Sequence, residues 1–366
     1  MQFQREPHRG HGYPRLMDQW PPDGGNVYIS GYGFIHLDPG QIERHEIRRS
    51  ASLAGGVMLC LLLLPTIFLL PSQLLVRYIA QFIPVEDPDS LVFWNAVLSE
   101  VRTFLWQVGS YLVPIIFLLL VGGRDLRRRD NTTFSARVLV LSFGCAMGLS
   151  AAVTCCGEIF SGVLSNLGLI EAGGSAIPSV PAAQALYIIR NAIVLTVLQE
   201  LLFRGLLLRM LRKYGDAFAI FITALVNGLT TGTLNDGLCA FIMGLMFGYL
   251  VLRTGLLSAA VGGHILCALW PALFETVGRY LPEWAPEVAM ILLLAIGLAS
   301  FALICRRDEN AFILSSKALD YRRMSGGQAG SGLPFRKKMA VTFGSAFFSA
   351  ACALWIIQVV QRLWVT

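Results

Sequence analysis

Four stretches of this chain, over 52–70, 111–121, 288–305 and 339–360, run on with no charged residue or almost none. A helix rises 1.5 Å per residue, so about 20 apolar residues cross the roughly 30 Å hydrocarbon core of a bilayer. Charged residues make up only 14% of the 366, against roughly 25% in an ordinary soluble domain, and hydrophobic residues make up 55%. The pattern predicts an all-α fold, a polytopic integral membrane helical bundle with about nine transmembrane helices. The spans fall over 51–71, 99–122, 134–156, 183–205, 216–232, 237–252, 256–275, 287–305 and 339–361.

The net charge of +6 is a topology signal rather than a nucleic-acid footprint. With the N-terminus in the cytoplasm, every Lys and Arg except Arg77, Arg102, Arg190, Arg279 and Arg362 falls in or beside a cytoplasmic segment. That bias orients helical membrane proteins. The expected partner is the lipid bilayer, with contact to anionic headgroups as a minor extra, and no nucleic acid. Residues 1–50 lack the apolar stretch of a secretory signal, so the first span is expected to act as an uncleaved start signal. The eight cysteines show no disulfide framework: Cys60, Cys145, Cys239, Cys267, Cys305 and Cys352 lie in spans, and Cys155 and Cys156 are adjacent. Packing is their expected role.

Along the chain, 1–50 reads as a cytoplasmic N-terminal tail, mostly irregular, with a short helix over 41–49. Residues 51–181 read as N-terminal transmembrane helices, 182–275 as the motif-bearing core, and 276–366 as C-terminal transmembrane helices with a cytoplasmic linker over 306–338. That linker holds eight Lys and Arg and a flexible Ser/Gly-rich run over 325–332. Glu86, Asp87 and Asp89 mark an external loop, and Arg124, Arg127, Arg128 and Arg129 an inner one. The segment 157–181, free of Lys and Arg, reads as external. The fourth span starts at Pro181 and runs to a C-cap at Gly215, about 33 residues and roughly 50 Å. It therefore projects into the cytoplasm through Arg209, Arg212 and Lys213. Spans five to seven follow on short connections as tightly antiparallel neighbours. Gly244 and Gly248, small residues four apart, let helices approach closely. No internal repeat is visible, which counts against a transporter built on duplicated halves.

Ionisable groups at membrane depth are costly and by default point to function. Here the polar residues of the spans gather on three helices. The fourth carries Gln199, Glu200 and Arg204. The fifth ends in Asn227, Thr230 and Thr231, with Thr233, Asn235 and Asp236 in the turn beyond, and the seventh carries His264. Counted from the inner helix ends, Glu200 lies roughly 13 Å deep, His264 roughly 15 Å and Thr231 roughly 20 Å, so the three share a level near mid-bilayer. Glu200 and Arg204, four apart, lie on one helix face, as a structural ion pair or as part of a site. Gln199 points about 100° away, toward a different neighbour, so Glu200 cannot simply take its place. His264, the only histidine in a span, is either a hydrogen-bonded interior group or a donor to a ligand. A lone histidine without HExxH counts against zinc, and neither metal nor cofactor is expected. No serine elbow, Cys/His motif or Gly-rich phosphate loop occurs.

These residues resemble the CPBP family of intramembrane glutamic peptidases, which includes the type II CAAX prenyl proteases and the bacteriocin-processing or bacteriocin-immunity (Abi) proteins. Its marks are Glu-Glu-xxx-Arg on one helix, Phe-xxx-His on the next and His-xxx-Asn or Asp two helices later. The likeness covers about 182–274, with Phe203-Arg204-Gly205 and the run Ala240-Phe241-xx-Gly244-xxx-Gly248-xxxx-Arg253-Thr254-Gly255. By this resemblance the first Glu, the base that activates water, falls on Gln199, the second on Glu200 and the Arg on Arg204. Phe-xxx-His falls on Asn227 and Thr231, and the oxyanion-stabilising His and Asn fall on His264 and Ala268.

The family residue thus stands at Glu200, Arg204 and His264, the candidate catalytic residues, and is replaced at Gln199, Asn227, Thr231 and Ala268. A Gln amide takes no proton from water near neutral pH, Thr231 is no imidazole, and Ala268 cannot donate to an oxyanion. Each such loss is typically worth a factor of about 10² or more in rate. The resemblance therefore implies an intramembrane endopeptidase homologue, CAAX prenyl protease 2-like, with weak or no peptidase activity. Such a pseudoenzyme would hold a peptide or prenylated peptide. Its expected setting is the plasma membrane of a bacterium, multi-pass, with the N-terminus cytoplasmic. Two alternatives stand beside it. One is an active peptidase with a rearranged site, using Glu200 or Asp236 as a displaced base. The other is a membrane transporter or bacteriocin-immunity-type binding protein.

Overall fold

The computed structural model describes residues 25–29, 33–37, 39–83, 87–121, 136–171, 177–278, 280–307 and 333–365. The inner loop with Arg124 to Arg129, Glu86, the Ser/Gly-rich run 325–332 and the first half of the tail lie outside them.

Long apolar segments leave the backbone no hydrogen-bonding partner but itself, and the chain answers with helices. In order they are α1 (Pro39–Ala80), α2 (Pro88–Val121), α3 (Ala136–Asn166), α4 (Pro181–Arg212), α5 (Asp216–Leu229), α6 (Leu234–Thr254), α7 (Leu257–Gly278), α8 (Ala285–Arg307), α9 (Phe335–Phe343) and α10 (Ala346–Arg362). Two short antiparallel pairs accompany them: β1 (Gly25–Ile29) with β2 (Gly33–Leu37), and β3 (Leu169–Glu171) with β4 (Leu363–Val365). The all-α reading of a polytopic bundle holds.

The expected count of spans is about nine. Among the described residues, seven helices are long and apolar enough to cross a membrane, and eight if the bent pair α9 and α10 counts as one. The fifth expected span is the difference. α5 has 14 residues, about 21 Å, short of the hydrocarbon core, because the chain turns at Thr230. The last expected span is α9 and α10, bent by 73° at Gly344–Ser345. In the described part of the tail, β1 and β2 precede α1, which starts at Pro39 and continues unbroken into the first span.

α4 follows its sequence signals. Pro181 occupies the first position, and the helix stops just before Gly215, whose φ of 125° sends the chain back into α5. At this end α1 and α9 close on the α4–α5 corner. Lys338 pairs with Glu43 at 3.1 Å and donates to the Tyr214 carbonyl, and the Ser50 and Tyr214 hydroxyls are 2.9 Å apart. At the opposite end β3 and β4 tie the exit of α3 to the exit of α10.

Two apolar clusters hold the helices. The larger joins α1, α2, α4, α5 and α10 through Met58, Leu118, Phe203, Leu207, Ile222 and Phe348. The smaller joins α3, α6 and α7 through Ala146, Phe247, Leu250 and Ala260. Between apolar helices in lipid, close packing replaces the hydrophobic drive. Gly244 and Gly248 accordingly lie against Ala224 and Ile220 of α5. A tighter contact, which the sequence reading did not single out, joins α3 to α8: a Cβ on Gly148 would lie 2.4 Å from the Gly297 Cα. Large apolar side chains such as Leu70, Leu120, Ile291 and Leu298 face outward, as a lipid-facing surface requires. All eight cysteines are free thiols.

Candidate functional site

α4 is not uniformly α-helical. Two seven-residue π-helical segments, Ile189–Leu195 and Leu201–Leu207, interrupt it, a rare geometry that often marks functional sites. Each segment carries one buried arginine, Arg190 and Arg204.

Arg204 is 1% exposed and Glu200 is fully buried. Nη1 of Arg204 lies 3.0 Å from Oε1 of Glu200, and Nη2 donates to the Gly244 carbonyl at 3.3 Å. The guanidinium also lies over the rings of Phe203 and Phe247, at 5.9 and 5.8 Å. From α7, His264 brings Nδ1 to 2.8 Å from the same Glu200 Oε1. Its ring stacks on Phe247 with centroids 4.9 Å apart. A carboxylate paired with Arg204 accepts, so Nδ1 carries a hydrogen, and in the neutral ring the lone pair is then on Nε2. Oε2 of Glu200 and Nε of Arg204 are buried without a hydrogen bond.

Beside this trio lies a cavity of about 170 Å³. Tyr111 of α2, Gln199 and Arg204 of α4, Asn227, Thr230 and Thr231 at the end of α5, Cys239, Met243 and Phe247 of α6 and His264 of α7 line it. The 100° between Gln199 and Glu200 sends the two side chains to different helices. Gln199 donates to the Tyr111 hydroxyl at 2.9 Å, while Glu200 turns to His264. Among the described residues, no Asp or Glu lines the cavity. Asn227 donates to the Ala240 carbonyl at 3.0 Å and Thr231 to that of Gly228 at 2.7 Å, so both spend hydrogens on the α5–α6 hairpin. Thr233 caps α6 by accepting from the Asp236 amide at 3.0 Å.

The structure thus brings Gln199, Arg204, Asn227, Thr231 and His264 to one cavity, with Glu200 sealed behind it. Ala268, one turn past His264, is half-buried and does not line it, and Asp236 stands exposed on the first turn of α6. Sequence reasoning missed Tyr111, Phe247 and Cys239, which it had placed in apolar spans. It also missed a second buried pair, in which Arg190 donates to Glu100 of α2 at 2.8 Å and to the Gln107 side chain. Opposite charges in two separate apolar spans were the available signal.

A polytopic helical bundle with a buried Glu–Arg pair joined to a His on the wall of a mid-bundle cavity is the class of protein this geometry defines. The family described as type II CAAX prenyl endopeptidase Rce1-like matches residues 181–270, about a quarter of the chain, from the start of α4 into α7. The chain is therefore similar, over the helices that build the site, to the family its motifs resemble. No curated protein and no solved structure matches it.

Proposed function

We propose that this CAAX-protease-like membrane protein receives a peptide, prenylated or not, in the cavity, and that it cleaves by the family's glutamate route weakly or not at all. One observation carries the reading. The member of the Gln199–Glu200 pair that faces the cavity is the amide, while the carboxylate is fully buried and engaged by Arg204 and His264. A base must reach the proton it removes, directly or through one water, and Glu200 is turned away. The setting proposed is a bacterial plasma membrane with the N-terminus cytoplasmic, supported by the distribution of Lys and Arg.

The test uses purified full-length protein and quenched fluorescent peptides, with and without a prenyl group, scored for binding and for cleavage. Saturable binding with slow or no turnover is expected. Turnover as fast as an ordinary enzyme's, about 1 per second or more, contradicts the reading, as does failure of every peptide to bind.

A further inference from the structure

The cavity has lost its carboxylate base, yet one basic nitrogen remains at its wall. His264 is held from two sides: Oε1 of Glu200 fixes Nδ1 at 2.8 Å, and Phe247 stacks on the ring at 4.9 Å. Arg204, 3.0 Å from the same oxygen, keeps Glu200 an acceptor. The ring is thus fixed in plane and tautomer, with Nε2 left as an acceptor, and the side chain is 22% exposed where it lines the cavity. The other groups there are engaged or lack basicity. Tyr111 accepts from Gln199, and the Cys239 thiol is directed at the Val153 carbonyl and Asn235 Oδ1, both at 3.8 Å.

We propose that His264 is the general base of this cavity and Glu200 the positioning residue behind it, so that the slow hydrolysis left to the protein runs through imidazole. The proposal rests on the reading that a peptide enters the cavity. Nε2 takes a proton from water, and the resulting hydroxide adds to the carbonyl carbon of a peptide bond. As the tetrahedral adduct collapses, the C–N bond breaks and the imidazolium returns its proton to the leaving nitrogen. The products are one carboxylic acid and one amine, which settle as carboxylate and ammonium, and no other reactant is consumed. A carboxylate that orients imidazole and stabilises its protonated form without taking the proton is an established arrangement. The charged and titratable groups around His264 are Glu200 and Arg204 from α4, with Tyr111 from α2 and Cys239 from α6 on the cavity wall.

The experiment measures binding and turnover of the same fluorescent peptides separately, in nanodiscs, for the wild type, His264→Ala and Glu200→Gln. His264→Ala is expected to bind within about threefold of the wild type but to turn over about 10²-fold more slowly. Added imidazole should restore part of that rate in His264→Ala and leave the wild type unchanged. Glu200→Gln, whose amide oxygen can still accept from Nδ1, is expected to lower kcat about tenfold or more with KM little changed. Should His264→Ala fail to fold, His264→Asn, which keeps a polar side chain of similar size toward Glu200 but offers no basic nitrogen, takes its place and should show the same loss of turnover. A folded His264→Ala or His264→Asn as fast as wild type overturns the proposal. Bound peptide with no turnover overturns it while leaving the peptide-binding reading intact. No binding removes both.

Discussion

Arg190 and Arg204 lie on one helix, each in its own π-helical segment and each against a glutamate, yet the two pairs are built differently. Arg190 reaches across to α2, where Glu100 and Gln107 accept from it, and its guanidinium lies over Tyr187 at 5.2 Å. Arg204 finds Glu200 on its own helix, and that carboxylate is shared with His264 at the edge of a cavity. The first pair joins two helices. The second fixes the direction of a third side chain. In sequence both are a charge in a greasy helix, so the charge alone does not separate a staple from a site. The difference lies in what else the carboxylate holds and whether that group meets open space.

The largest effect is expected at Glu200. Replacing it with Leu leaves Arg204 as an uncompensated buried charge and releases His264, and breaking such a pair costs about 3–5 kcal/mol. Thermal melting in detergent checks this, and unchanged melting would deny the trio a structural role. Glu100→Leu should cost less, about 1.5–3 kcal/mol, because Gln107 still accepts from Arg190. If Glu100 instead proved the costlier, the staple would be the more important pair and the contrast would be inverted. Removing Glu100 and Arg190 together, as Leu and Met, should recover most of the single-variant loss, since a buried pair replaced by packing residues is often neutral. Peptide binding should survive that double change but not its counterpart at Glu200 and Arg204.

Much of this was legible in the chain. Uncharged runs of helical length announce a membrane bundle, Pro181 and Gly215 bracket α4, and Gly244 and Gly248 announce the α5–α6 contact. The divergent directions of Gln199 and Glu200 followed from 100° per residue and hold in the structure. What failed to show depends on neighbours in space. Composition cannot tell that α5 stops after 14 residues, because the residues beyond Leu229 are small and mildly polar rather than charged. The bend at Gly344–Ser345 hides inside an uncharged run. Tyr111 is one polar tip in an apolar helix until Gln199 is seen to donate to it. The bond from His264 to Glu200 requires α4 and α7 to be rotated against each other, and π-helical turns alter that rotation without a sequence mark.

The smallest stability effect should separate the two glutamines that serve these pairs. Gln107 accepts from a buried guanidinium, so Gln107→Leu removes a bond to a charge, worth about 1.5–3 kcal/mol. Gln199 donates to a neutral phenol on a cavity wall, and Gln199→Leu lets Tyr111 turn to water or ligand, so the loss should be about 0.5–1.5 kcal/mol. Binding should run the opposite way. Gln107 lines no part of the cavity and its variant should keep peptide affinity, whereas Gln199→Leu puts an alkyl group at the cavity face and should shift affinity by about 3- to 10-fold. Melting and peptide titration of the two variants side by side decide the matter. An affinity change confined to Gln107→Leu would mean that ligands meet the protein at the α2–α4 staple rather than at the cavity beside His264.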